Sequence, residues 1–438
     1  MTRRTIEKAF TAVTLYLSTG AVLPLVFAGG DAGVADPDGN AVIQAVWTLI
    51  YLCTVLLVAL RWKDSIRSIS GDKLLLLLVL MAVVSVLWST APDVALRRSV
   101  ALLGTTLFGV YVAQRYSIDE LLSILALVFL IAALSSFVFV LAVPEFGVDS
   151  DKHLGAWRGV YTHKNTLGRT MALGALVFVS LIDQPRRRLF AWIGVVICSS
   201  LLLMSNSATA QVVLIGSILV GIGARNLRLD LRLLIPFALL AAIILVATSA
   251  WIYKNYELIL NALGREATLT GRTFLWSLVI ESIGERPWLG YGFGSYWLGW
   301  SGASASIWSV AGWEAPHAHN GFLDLCLNLG VFGLALCLAG ISCYVARAAT
   351  WARSSTGWSG LWPMMLLAAL LAFNLTESVI LVRNNITWIL YVDLVIRMAR
   401  RRLGALVGGG HVRGGSSRRM PASISGQLWT LRDRPSAR

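Results

Sequence analysis

Apolar positions along this chain neither alternate nor form narrow stripes. They fill repeated runs of roughly 16 to 25 residues, the length a helix needs to cross ~30 Å of hydrocarbon. The pattern predicts about twelve helical spans, at 9–29, 41–60, 74–89, 98–114, 120–143, 165–183, 189–204, 210–224, 233–252, 322–346, 358–375 and 378–396. Membrane β-barrels alternate over segments of about ten residues, a pattern absent here. Backbone groups in lipid must bond within their own segment, which leaves helices. The first run follows Thr2-Arg3-Arg4 and is read as a retained span, because no small-x-small cleavage site precedes Asp31. No internal repeat is evident.

Composition agrees. Of 438 residues 57% are hydrophobic and only 14% charged, and the mean hydropathy is +0.71, outside the range of soluble globular domains. The expected fold class is an all-α polytopic membrane protein. The five cysteines, Cys53, Cys198, Cys326, Cys337 and Cys343, lie in apolar runs without metal-ligand spacing. A net charge of +14 raises the question of nucleic acid. The basic residues lie mostly in short loops and the tail, which topology explains and nucleic-acid binding does not.

With the N-terminus placed in the cytoplasm, most of the 37 Lys and Arg residues fall on the cytoplasmic side, as the positive-inside rule requires. Both termini are therefore expected in the cytoplasm. Residues 1–252 carry nine spans, 253–321 a long extracytoplasmic loop, and 322–396 the last three spans. The basic tail, 397–438, is expected to be disordered from about 403 and drawn to anionic lipid. A loop as long as 253–321 is uncommon unless functional. It holds Trp276, Trp288, Trp297, Trp300, Trp308, Trp313, Tyr291 and Tyr296, which suit either an interface belt or sugar stacking.

In this topology the polar clusters gather outside: "WSTAPDVALRRS" (88–99), "RGVYTHKNTLG" (158–168), "MSNSATAQ" (204–211), "LTGRTFLW" (269–276), "RPWLGYGFGSYW" (286–297), "PHAHNGFLDL" (316–325) and "NLTES" (374–378). Arg158 and Lys164 beside a span could snorkel to head groups, but a guanidinium is also the best planar fork for a diphosphate. "GYGFG" (290–294) has no strand before it and is not a nucleotide loop. "DPD" (36–38) and "DSD" (149–151) read as solvated aspartates rather than metal pairs, and no zinc spacing occurs. Arginines, histidines, aromatics and hydroxyls on one face suit a lipid-linked anionic substrate. Arginine would offset the charge of a departing diphosphate, and a neutral histidine would take the proton of an attacking hydroxyl. Sugars on polyprenyl diphosphate are available outside the cell, whereas nucleotide sugars are not.

The order of "RGVYTHKNTLG", "SNSAT", "LTGRTFLW…ERPWLGYGFGSYW" and "HAHNGFLDLCLNLGVFGL" resembles the O-antigen ligase/polymerase superfamily over about residues 75 to 396. The "HKN" wording looks most like its exopolysaccharide polymerases. The resemblance implies a GT-C-like helical fold and transfer of a glycan from undecaprenyl diphosphate to a hydroxyl of an acceptor glycan. The transfer is implied to proceed with inversion, without metal or cofactor, at the outer face of the cytoplasmic membrane. Carried over by motif, His319 is the candidate base, and Arg158 and Arg272 the candidate diphosphate clamps. Lys164, Asn165, His163, Asn320 and Trp276 are candidate substrate-binding residues. The family's serine loop often contains an Arg that "SNSAT" lacks, for which Arg97, Arg98 or Lys254 could substitute.

The expected partners are an undecaprenyl-diphosphate-linked oligosaccharide, a glycan acceptor, membrane lipids and other polysaccharide-assembly proteins, with no nucleic acid. A ligase for lipid A core or for protein would use the same chemistry on another acceptor. A lipid-linked sugar transporter would instead concentrate polar groups near the midplane, in repeated halves.

Overall fold

A computed structural model of the chain places helices within each of the predicted runs that it describes, but the first run is broken after Ser18 and the last becomes helical only at Ile386. The structure covers residues 2–27, 40–150, 154–226 and 268–412. The span at 233–252, together with Lys254 and "DPD", lies outside the described residues, as do Asp151 and positions 413–438 of the tail. In chain order the helices are α1 (Arg3–Ser18), α2 (Leu23–Phe27), α3 (Ala41–Ala59), α4 (Trp62–Ser70), α5 (Lys73–Val84), α6 (Pro92–Arg115), α7 (Ile118–Ala142) and α8 (Pro144–Gly147). They continue with α9 (Lys164–Val179), α10 (Arg188–Met204), α11 (Ala208–Asn226), α12 (Thr268–Glu285), α13 (Ala305–Ala311), α14 (Gly321–Ser354), α15 (Trp362–Asn374) and α16 (Ile386–Val412). No strand occurs among the described residues, only one isolated bridge between Val148 and Trp157. The described residues up to Arg400 form one compact unit.

Among the described residues four helices, α3, α7, α11 and α14, are long and apolar enough to cross a membrane, and the bent pair Trp62–Ser70 and Lys73–Trp88 makes up to five. The chain is a multi-pass membrane protein. Its faces divide as lipid requires. On α3, Ile43, Trp47, Ile50 and Thr54 are buried at helical spacing, while Leu49, Leu52 and Leu56 are exposed. Small residues let helices approach. A Cβ on Gly109 of α6 would lie 2.8 Å from the Val392 side chain, and a Cβ on Gly174 of α9 would lie 3.0 Å from Cys198 Sγ.

Helix α9 is the centre of this packing. From Leu167 to Val179 nearly every side chain is buried, as in a helix apolar all round. Its polar N-terminal turn, Lys164, Asn165 and Arg169, is therefore held at one end of a rigid core. At the other end, buried acids tie helices together. Asp72 caps α5 and accepts from Tyr344 Oη and Arg347 Nη1, each at 2.8 Å. Asp393 holds Arg397, whose Nη1 donates to the Tyr116 carbonyl at 2.7 Å.

The described part of the long loop is folded. Leu275, Val279, Tyr291, Tyr296, Ile307, Ala315 and Ala318 form an apolar cluster together with Leu327 of α14. Four of the loop's indoles donate within it or to α14: Trp276 to Ala318 O, Trp297 to Asp324, Trp300 to Glu314 and Trp308 to Ala315 O. Trp288 and Trp300 remain well exposed.

The loop also explains a break in α14. At Gly330 the backbone leaves the helix, with φ 64° and ψ −167°, a region open only to glycine. The Leu327 and Asn328 carbonyls, which a continuous helix would offer to residues 331 and 332, instead accept the N–H groups of Tyr291 and Gly292, at 2.7 and 3.1 Å. Val331 and Phe332 donate to the Pro287 and Trp288 carbonyls, at 2.8 and 3.4 Å. These four backbone groups freed at the break thus find partners in the loop, as buried backbone requires. The result is a short half-helix, 321–329, locked to the loop.

Candidate functional site

That half-helix begins at the "HAHN" segment. Asn320 is its N-cap, with Oδ1 accepting from Phe322 N at 3.0 Å and Leu323 N at 3.4 Å. His317 Nδ1 accepts the backbone N–H of His319 at 3.0 Å. These two local bonds hold His319 at φ +50°, a left-handed conformation that costs a non-glycine residue of order 1 kcal/mol. Behind the segment, buried Asp324 accepts from Ala318 N at 3.1 Å, from Trp297 Nε1 at 2.7 Å, and from Ser378 Oγ. Trp276 Nε1 donates to the Ala318 carbonyl at 2.9 Å. Both bonds fix the residue between the two histidines.

Opposite them stands Glu377. Helix α15 ends at Asn374, whose Oδ1 accepts from Val379 N and Ile380 N at 3.2 Å each and so shapes the turn. The turn sits against Gly321, where a Cβ would collide with the Asn374 side chain. Glycine at 321 thus lets the two segments touch, and the contact brings Glu377 to the histidines. His317 Nε2 lies 3.5 Å and His319 Nδ1 3.6 Å from Glu377 Oε2. Asn165 Nδ2 donates to Oε1 at 3.2 Å, and Arg272 Nη2 is 3.9 Å from the same oxygen. The rings of His317 and His319 are 4.2 Å apart, and Trp313 lies 5.9 Å from His319.

Burial alone would raise the Glu377 carboxyl pKa. The His319 ring, the field of His317 once acid has protonated it, and the charge of Arg169 outweigh it and hold the group well below the usual carboxylate range. Burial lowers His317, helped by repulsion from His319, with Glu377 and Asp324 pulling it partly back. His317 is therefore neutral at pH 7. Its Nδ1 accepts an N–H, so its own proton sits on Nε2, facing Glu377.

His317, His319 and Glu377 also have the donor set of a metal site, with ligand atoms all within 4.8 Å of one another. The hydrogen bonding does not fit one. A cation on His317 Nε2 would displace the proton to Nδ1, where the His319 N–H already points. The same carboxylate already has Asn165 and Arg272 at its other oxygen.

Of the residues singled out from the sequence, His319, Arg272, Asn165, Trp276 and Asn320 come together here. His163 is the N-cap of α9, with Nδ1 accepting from Asn165 N at 3.1 Å. Lys164 Nζ reaches the Asn206 carbonyl at 3.4 Å, and Ser207 Oγ donates to Asn165 Oδ1 at 3.2 Å. The serine loop is thus tied to the start of α9. Arg158 Nε donates to the Phe146 carbonyl at 2.7 Å and Nη2 to the Glu145 carbonyl at 3.3 Å. Arg98 donates to the Gly294 carbonyl and braces the loop, while Arg97 is exposed on α6. Glu377, Asp324 and Arg169 were missed. The available signal was an ionisable side chain beside an apolar run, the standard mark of function near a membrane.

Residues 193–338 match the family model described as O-antigen ligase. That stretch contains Arg272, Trp276, His317 and His319, but not Asn165 or Glu377. The chain is also similar, at 26% identity over 269 residues, to the exopolysaccharide production protein ExoQ of Rhizobium meliloti. The similarity takes in 59% of this chain and 60% of ExoQ, less than two thirds of the relative's length.

Proposed function

We infer that this chain, which matches an O-antigen ligase family model over residues 193–338 and is similar to an exopolysaccharide production protein, is a membrane glycan polymerase or ligase of exopolysaccharide synthesis. Its donor is a glycan on undecaprenyl diphosphate, and its acceptor is a hydroxyl of a second glycan. The transfer takes place at the extracytoplasmic face of the cytoplasmic membrane, with both chain termini on the opposite side.

The observation carrying this reading is the approach of His319 Nδ1 to Glu377 Oε2, at 3.6 Å, beside Arg272. A carboxylate facing Nδ1 favours the proton there and leaves a lone pair on Nε2. His319 Nε2 then removes the proton of the acceptor hydroxyl as its oxygen bonds to the anomeric carbon. The bond from that carbon to the diphosphate oxygen breaks, and undecaprenyl diphosphate leaves with the electron pair. Attack opposite the leaving group inverts the anomeric centre. Arg272 offsets the charge growing on the diphosphate, and Glu377 offsets the charge growing on the imidazole. Trp313 beside His319 offers a flat apolar face to a sugar ring.

His319→Ala tests this directly. The variant should yield no polymer while repeat units on undecaprenyl diphosphate accumulate. Polymer of normal amount and length from that strain would remove His319 as the base.

A further inference from the structure

We propose that Arg169 is a second guanidinium ligand of the donor's diphosphate, acting in addition to Arg272; the proposal rests on the donor reading above. Arg169 lies on α9 four residues after Asn165, on the same helical face. Asn165, one turn before it on that face, donates to Glu377 Oε1 at 3.2 Å, and the charge of Arg169 is felt at both Glu377 and His317, so it borders the same site. Among the described residues no acceptor comes within hydrogen-bond or ion-pair distance of its guanidinium. The nearest acid by charge, Glu377, is already approached by Asn165, Arg272, His317 and His319.

A guanidinium carries five donors in a fixed fork and cannot shed its charge. Holding one beside an apolar core without an acceptor is costly unless an anion completes it. At this level α9 also meets the serine turn closely, since a Cβ on Gly168 would lie 2.7 Å from Ser207 Cβ and 2.9 Å from Ser205 Oγ. The neighbourhood therefore sets two guanidinium groups, Arg169 and Arg272, against one carboxylate already engaged. Such a set takes a phosphate or diphosphate group in bidentate fashion.

The full chain in lipid nanodiscs should be titrated with undecaprenyl diphosphate, using phosphatidylglycerol as competitor. Arg169→Gln should weaken binding roughly tenfold or more, and Arg169→Lys by less. The double variant Arg169→Gln/Glu377→Gln should stay weak. Unchanged binding in Arg169→Gln would overturn the proposal. So would recovery in the double variant, because Arg169 would then only balance Glu377. Equal competition by phosphatidylglycerol would make the site one for lipid head groups and overturn it likewise. If Arg169→Gln does not fold, a folded Arg169→Lys that binds as tightly as the unaltered chain overturns it. Failure of the unaltered chain to bind undecaprenyl diphosphate would defeat the donor reading itself, and this inference with it.

Discussion

The Asn165 side-chain amide donates to Glu377 Oε1 at 3.2 Å across 212 positions of sequence. This bond joins the start of the central helix α9 to the turn after α15, and it fixes one oxygen of the carboxylate whose other oxygen faces His317 and His319. The "HKN" segment therefore reaches the candidate base through Glu377.

Glu377→Gln keeps the shape of the side chain but removes the charge that favours a proton on His319 Nδ1. Turnover should fall by about 10² or more, within the range of general-base effects, while donor binding changes little. The check is kcat against KM in purified protein with a lipid-linked donor. A loss confined to KM would assign Glu377 to binding instead.

Asn165→Ala leaves Glu377 Oε1 short of a hydrogen bond to a charged group, and Ser207 without its acceptor. The expected cost is about 1.5–3 kcal/mol, read as a lower thermal midpoint together with reduced polymer. Asn165→Asp should be worse, since it sets a second carboxylate against Glu377. An Asn165→Asp protein as stable as Asn165→Ala would contradict this geometry.

Gly330→Ala should destabilise the chain by about 1–3 kcal/mol, because the backbone there has φ 64° and ψ −167° and a Cβ would run into the Trp288 carbonyl. The loop should detach from the half-helix as well. Limited proteolysis within 286–298 would report the release, and protection equal to the unaltered chain would count against it.

Stability in detergent should decline with acid in two windows. The folded His317 pKa lies below its ordinary value of 6.5, so below about pH 6.5 the unfolded chain binds a proton that the folded chain resists. The folded Glu377 pKa lies below its ordinary value of 4.5. Its contribution is therefore complete above about pH 4.5 and is lost as pH falls toward the folded value. Thermal midpoints from pH 2 to 8 should show both, and Glu377→Gln should flatten the lower window.

Chelation should leave polymerisation intact, since the tautomer of His317 opposes a cation at Nε2. Loss of activity in EDTA, restored by added Mn²⁺ or Zn²⁺, would make His317, His319 and Glu377 a metal site after all.

Helix positions were legible in the sequence because hydropathy is local: a run long enough for hydrocarbon must satisfy its own backbone within one segment. The segments bearing His319, Arg272 and Asn165 were legible too, because capping residues, glycines and polar groups interrupt those runs. Partner choice was not. Arg158, conspicuous between apolar runs, binds carbonyls of Glu145 and Phe146. Glu377, one acid in "NLTES", gathers two histidines, an amide and a guanidinium. Nothing local separates these two fates. They were decided where α9 is buried on all sides, where Gly321 lets α14 touch the turn after α15, and where Gly330 opens α14 to the loop. Each is a contact between segments far apart in sequence, and only packing in three dimensions selects it.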